Sequence, residues 1–325
     1  MSDRETVVAP SAVAPSVVAP SVVAPSVVAP SVVAVVLTWN RKDLLARCLS
    51  AIAGQTRPPG RILVIDNAST DGTDELLAGR DRWEGVPLDH RRADRNDGAA
   101  AGFRACFVAG TESGADFAWI MDDDVIPDAG ALAALLDAAT AVDEPASFLI
   151  SRAVGPDGRS MNVPEPDLRR AEGRYADWDR RLAEGLVKIR RATFVSILVP
   201  RETLTRIAPP SADFVMWGDD ADWTLRATAW RPAWMVAGSR VVHARASGGP
   251  PDSHAETDPA RVDRLYYLYR NEVYVARRHY GMSGQARVVL GTLRRAVLGA
   301  ARPGGRRRLG VVLKGLAAGW RFRPR

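Results

Sequence analysis

Three short apolar runs constrain this chain more than any other feature: "SVVAVVLTWN" from Ser31, "RILVIDNAS" from Arg61 and "FAWIMDDDV" from Phe117. Each suits a strand buried on both faces. After the first comes "RKDLLARCLSAIAGQ", with Leu44, Leu45, Cys48, Leu49 and Ile52 on one helical face and Gly54 as its stop. "STDGTDELLAG" reads as a capped short helix, and "VPLDHRRA" as a further strand leading into the helical "GAAAGFRACFVAG". Strand, helix, strand, helix, strand predicts an α/β fold with a mostly parallel sheet flanked by helices. Ligands of such sheets sit beyond the C-terminal strand ends. Asn40, Asp66 and Asp122 to Asp124 all fall there, so they are expected to converge on one site.

The remainder is mixed. "FLISRAVGPDGRSMNV" predicts a hairpin around Pro156-Asp157-Gly158. "TFVSILVPRETL" and "WMVAGSRVVHA" predict strands, and "RVDRLYYLYRNEVYVARRHYG" a helix. At the N-terminus a five-residue unit repeats, mostly as SVVAP. Proline every fifth residue forbids a continuous helix or central strand, so residues 1–30 are expected to be an extended, disordered arm. The expected organisation is that arm, an α/β domain over 31–260 and a helical, basic segment over 261–325.

Composition adds limits. With 46% hydrophobic and 25% charged residues the chain suits a soluble globular protein. No secretion signal and no spanning run of about 18 apolar residues is expected. Cys48 and Cys106 lie on apolar helical faces and read as core thiols. Charge is uneven: Gln285 to Arg325 hold 11 Lys/Arg and no Asp/Glu, which leaves the preceding residues net −5 against a total of +6. Three adjacent carboxylates at a strand end are costly to bring together. They favour a hard divalent cation, Mg²⁺ or Mn²⁺, with positions left for phosphate oxygens; a solvated Asp-rich turn is the plainer alternative.

The order "VVLTWNR", "VIDNASTDGT", "RNDGAAAGF", "WIMDDDV", "WGDDADWTLRA", a later histidine and "YYLYRNEVY" resembles family 2 glycosyltransferases of the GT-A fold, over roughly Val32 to Tyr280. The "WGDDAD" segment is most similar to bacterial galactofuranosyltransferases, whose pattern is Trp-Asp-Asp-x-Glu. Here Asp222 replaces the Glu, and Gly218 separates Trp217 from the acidic pair. Related rhamnosyltransferases carry Glu-Asp-x-Asp. The resemblance implies a GT-A type, mostly parallel mixed sheet and an inverting, metal-dependent transferase. Its donor would be UDP-galactofuranose, or alternatively dTDP-rhamnose; its acceptor would be a cell-envelope glycan or a polyprenyl-diphosphate-linked glycan.

The same resemblance implies site roles. Thr38, Asn40, Arg41, Asp66, Arg95 and Asn96 would meet the nucleotide sugar; for Asp66, capping of the next turn is the alternative. Asp122, Asp124 and His243 would hold Mn²⁺ or Mg²⁺, with Asp123 on the donor or orienting its loop. Asp220 would take the proton from the acceptor hydroxyl, with Asp219 beside it. Asp219 and Asp222 would bind acceptor hydroxyls, and Trp217 and Trp223 would stack on sugars. Acids complementing a helix N-terminus and core aromatics are the structural alternatives. Gly98 and Gly102 allow close backbone approach.

The cationic, amphipathic tail with its late Trp320 suits an interfacial helix on anionic lipid better than a nucleic-acid arm, since no nucleic-acid fold accompanies it. A cytoplasmic protein held peripherally at the inner face of the cell membrane is expected. "LTWNRKDLL" lacks the Gly-x-Gly-x-x-Gly of a dinucleotide oxidoreductase, and no P-loop occurs. A non-catalytic sugar-binding module is the reading left from another class.

Overall fold

The structure, a computed structural model, describes residues 29–170, 175–244 and 254–325. The arm expected over 1–30 therefore lies, but for its last two positions, outside the described residues. From there β1 (Val32–Thr38), α1 (Lys42–Ala53), β2 (Arg61–Asp66), α2 (Thr73–Leu77), β3 (Arg82–Trp83), β4 (Val86–Arg92), α3 (Ala99–Glu112) and β5 (Phe117–Asp122) follow in the expected order. β1 pairs in parallel with β2 and β5, and β2 with β4. Both faces of β1 are buried. Val32, Ala34 and Val36 pack into the cluster beneath α1, while Val33, Val35 and Leu37 pack against Phe103, Cys106 and Phe107 of α3. The period of two is why this strand reads as uninterrupted apolar sequence. Cys48 and Cys106 are buried thiols, as expected.

The second half adds β6 (Val125–Pro127), α4 (Ala131–Ala141), β7 (Phe148–Val154), β8 (Glu165–Pro166), β9 (Leu186–Arg191), β10 (Ile197–Pro200), α5 (Arg201–Arg206), α6 (Asp219–Thr228) and β11 (Ala233–His243). β10 inserts antiparallel between β5 and β7, and β11 runs parallel to β7. The result is one mixed sheet with helices on both faces, the expected α/β class. The expected hairpin after β7 forms as a short one: Gly158 has φ 77°, and the return limb bridges the end of β7 antiparallel at Val154–Ser160. One edge of β7 pairs with β11 along its length, and the other pairs with β10 only at Leu149 and Ile150.

Helices α7 (Pro259–His279), α8 (Gly281–Gly299) and α9 (Gly305–Arg321) close the chain. α7 and α9 pack at glycines: a Cβ on Gly315 would lie 2.7 Å from the Tyr266 carbonyl oxygen, and one on Gly319 would lie 2.6 Å from Val273 Cβ. Of the 11 basic residues in the tail, Arg308 departs from the rest. It is buried and donates to the carbonyls of His254, Glu256, Gly299 and Pro303, so its role is structural. The other basic residues are exposed. Among the described residues no helix is long and apolar enough to cross a membrane.

Candidate active site

A cavity of about 860 Å³ lies beyond the C-terminal end of β5, between the sheet, the start of α6 and the α7–α8 pair. Its lining brings together Arg41, Asp122, Asp124, Trp217, Asp219, Asp220 and His243 from segments up to 202 residues apart. Asp123 does not line it but organises it. Its Oδ2 accepts from Thr38 Oγ1 at 2.8 Å and from Trp39 N at 3.3 Å, and its Oδ1 accepts from Arg41 Nη1 at 3.2 Å. The same Arg41 nitrogen donates to Asp124 Oδ2 at 2.6 Å. Burial, then Asp124 and Asp123, push the Asp122 carboxyl well above the usual range. Burial also lifts Asp123 to about 6, against the pull of Arg41 and Thr38.

His243 ends β11 with Nε2 3.1 Å from Asp124 Oδ1, while its Nδ1 lies 2.8 Å from Asn162 Oδ1. The Asn162 oxygen can only accept, so Nδ1 carries a proton. A lone pair on Nε2 would then face a carboxylate oxygen unless a proton or another cation stands between them. Among the described residues no group of three or more His, Cys, Asp or Glu is arranged to hold a metal ion. The donor chemistry of Asp122, Asp124 and His243 nevertheless fits Mn²⁺ or Mg²⁺: hard oxygens, one imidazole with its far nitrogen fixed, and a local excess of negative charge. Arg41 now supplies part of the counter-charge. Asn162 carries no sequence signal, since it lies in an irregular loop 81 residues from the histidine it orients.

α6 is preceded by its N-cap Gly218, whose φ of 87° only glycine adopts readily. Asp219 and Asp220 occupy its first turn. Burial and then Asp220 drive Asp219 up to about 8; burial also raises Asp220, but Arg191 and backbone N–H donors draw it back. Val215 and Trp217, just before the helix, also have positive φ, 66° and 56°. Buried Asn271 of α7 holds this strained segment. Its Nδ2 lies 3.0 Å from the carbonyl oxygens of Phe214 and Met216 and 2.8 Å from that of Trp217. The sequence signal for Asn271 was a polar residue amid the aromatics of "YYLYRNEVY". Asn271→Ala is expected to cost about 3 kcal/mol, because buried carbonyls lose their donor, read as a lower urea midpoint at unchanged slope.

Other expected site residues fall elsewhere. Trp223 is fully buried against Phe107, Phe148 and Phe194, so it is a core residue and not a sugar platform. Asp222 also turns away from the cavity. Although burial opposes it, bonds from His279 and Arg226 hold its carboxyl below the usual range and tie α6 to α7. Asp66 is buried, and its Oδ1 accepts from Ser69 N at 2.8 Å, the turn-capping alternative. Asn40 Oδ1 accepts from Thr70 N, Arg95 pairs with Asp97, and Asn96 Oδ1 accepts from Gly98 N. Thr38, Asn40, Asp66, Arg95 and Asn96 thus surround the ends of β1, β2 and β4 beside the cavity without lining it. Gly98 and Gly102 make their close approaches to Val215 and Leu37.

Residues 33–184 match the family model described as Glycosyl transferase family 2. This part of the chain is therefore similar to family 2 glycosyltransferases, and the fold is similar to that of GT-A glycosyltransferases. Among characterised proteins it is 38% identical over 107 residues to Galactofuranosyltransferase GlfT1 of Mycolicibacterium smegmatis, covering 33% of this chain and 34% of that protein. The GlfT1 of Mycobacterium tuberculosis is also 38% identical, over 106 residues, covering 32% of this chain and 34% of its own. The match thus spans about a third of the length of these relatives. In fold it is similar to the mannosyltransferase PcManGT from Pyrobaculum calidifontis in complex with GDP-Man and Mn²⁺, with TM-score 0.55 and 17% identity over 91% of this chain and 87% of that one. GalNAc-T7 with UDP, GalNAc and Mn²⁺ has TM-score 0.55 and 13% identity over 75% of this chain and 51% of its own. The family match ends before α6, so Asp219, Asp220 and His243 lie outside it.

Proposed function

We propose that this protein is an inverting glycosyltransferase that moves galactofuranose from UDP-galactofuranose to a cell-envelope glycan or lipid-linked glycan. The observation carrying this reading is one cavity that joins the acidic end of β5 to Asp219 and Asp220 of α6. The nucleotide would lie along the ends of β1, β2 and β4, and its diphosphate beside Asp122, Asp124 and His243, the residues that would hold Mn²⁺ or Mg²⁺. Such an ion, when bound, offsets charge on a departing diphosphate. Asp220 takes the proton from the acceptor hydroxyl as that oxygen attacks the anomeric carbon. Asp219, protonated at neutral pH by its raised pKa, donates a hydrogen bond instead. Trp217 lines the same cavity and offers a face for a sugar. A thermal-shift screen tests the donor: UDP-galactofuranose with Mn²⁺ should raise the melting temperature more than dTDP-rhamnose does. The reverse ranking would favour rhamnosyl transfer, and binding with no donor turnover a sugar-binding module.

Attachment to an anionic membrane surface belongs to the same reading. Leu290, Val297 and Leu298 of α8 and Leu313 and Trp320 of α9 are exposed among the tail arginines. Each basic residue near such a surface contributes about 1 kcal/mol before screening. The protein should co-sediment with vesicles containing phosphatidylglycerol and leave them as salt rises. Binding indifferent to lipid charge would reject the attachment.

A further inference from the structure

The cavity has a second end that the chemistry above leaves unused. α8 turns Arg287, Gly291, Thr292 and Arg295 into it, a spacing that defines one helical face. Arg287 and Arg295 are eight residues apart, about 12 Å along the axis, and Gly291 between them leaves open space where a side chain would stand. Arg191, at the end of β9, lines the same cavity. Among the described residues none of these three arginines makes an ion pair within 4.0 Å. Glu272 of α7 also lines the wall. Burial pushes its carboxyl up, and Arg191 and Arg295 oppose this, so it offsets one of the three charges. Glu165, the other acid on this side, accepts from Tyr280 Oη at 2.6 Å.

Thr292 supplies an independent observation. It is completely buried, lines the cavity, and its Oγ1 has no hydrogen-bond partner, not even the carbonyl four residues back that helical threonines commonly use. Native structures rarely leave a buried hydroxyl in that state unless something else satisfies it.

We infer that Arg287, Arg295 and Thr292, with Arg191, form a binding site for a phosphate or diphosphate ester carried by the acceptor. Only the word acceptor rests on the transferase reading; the anion site stands on its own residues. Guanidinium forks match phosphate oxygens, and the threonine hydroxyl adds a neutral donor. A lone carboxylate has two oxygens and is saturated by one fork, whereas arginines two helical turns apart suit a group with more oxygens. The ester has two possible carriers, a soluble phosphorylated sugar or a lipid.

The test uses the full chain in EDTA, so that no metal-bridged site forms at the acidic end. Inorganic pyrophosphate and dodecyl phosphate, the latter below its micelle concentration, are titrated calorimetrically. Wild-type protein should bind, and Arg287→Gln and Arg295→Gln should each weaken binding about tenfold. Thr292→Val, nearly the same shape, should weaken it several-fold. All three should keep their melting temperature and their Mn²⁺-dependent affinity for UDP. Binding of pyrophosphate assigns a soluble ester, and binding of dodecyl phosphate alone a lipid-borne one. The inference is overturned if neither probe binds wild-type protein, if both arginine variants bind as well as wild type, or if the variants lose UDP affinity, which would put the arginines on the donor. Because UDP is measured separately, failure here leaves the donor reading standing.

Discussion

Replacing Asp220 by Asn is expected to lower turnover by about 10²-fold or more while nucleotide-sugar affinity is unchanged. The substitution keeps size and the acceptor bonded by Ala221 N, but removes the ability to take a proton. Asp220 suits the base better than its neighbour for an electrostatic reason. Asp219, lifted to about 8 by burial and by Asp220, holds its proton at neutral pH. Burial raises Asp220 as well, but Arg191 and backbone N–H groups oppose it and favour its ionised form. The sign for pH follows. A base works ionised, so the rate should climb with pH through its pKa, on a limb displaced above the ordinary 3.8 of an aspartate. Steady-state rates between pH 5 and pH 8 check this, and the limb should vanish in Asp220→Asn. Turnover equal to wild type would move the base to Asp219.

Much of the sheet was legible because burial on both faces leaves a direct mark in sequence. The run from Val32 to Leu37 cannot serve a half-wet strand, and its residues do alternate between the two cores. The acidic end of β5 was legible for the opposite reason, since carboxylates following a buried strand need a stated partner. What stayed hidden depends on which way a helix faces. "DDADW" does not say that Asp219 and Asp220 meet the cavity while Trp223 points into the sheet; that orientation is set by Phe107, Phe148 and Phe194, which come from three other segments. Asp222 misled for the same reason, its partners being Arg226 and, 57 residues on, His279. The arginines of α8 read only as tail charge, because sequence cannot show that this helix folds back to wall the cavity.

Asp124→Ala is expected to weaken Mn²⁺-dependent binding of UDP by at least about 10²-fold, since loss of mere outer-shell partners of a metal already costs 10–100-fold. Asp124 is buried between His243 Nε2 at 3.1 Å and Arg41 Nη1 at 2.6 Å, so it touches both the imidazole of the donor set and the cation now neutralising the cluster. On the proposed ligand set its removal would leave only Asp122 and His243 to hold the ion, and it frees Arg41 to pair with Asp123 alone. The contrast with Asp123→Asn separates ligation from architecture. Asp123 accepts from Thr38, Trp39 and Arg41 and lies outside the cavity lining, so that variant should lose melting temperature first. Calorimetry of UDP with and without Mn²⁺, beside melting curves, reads both effects. Unchanged Mn²⁺-dependent affinity in a folded Asp124→Ala protein would remove the metal from this site, and Arg41 would then be the cation that faces the donor diphosphate.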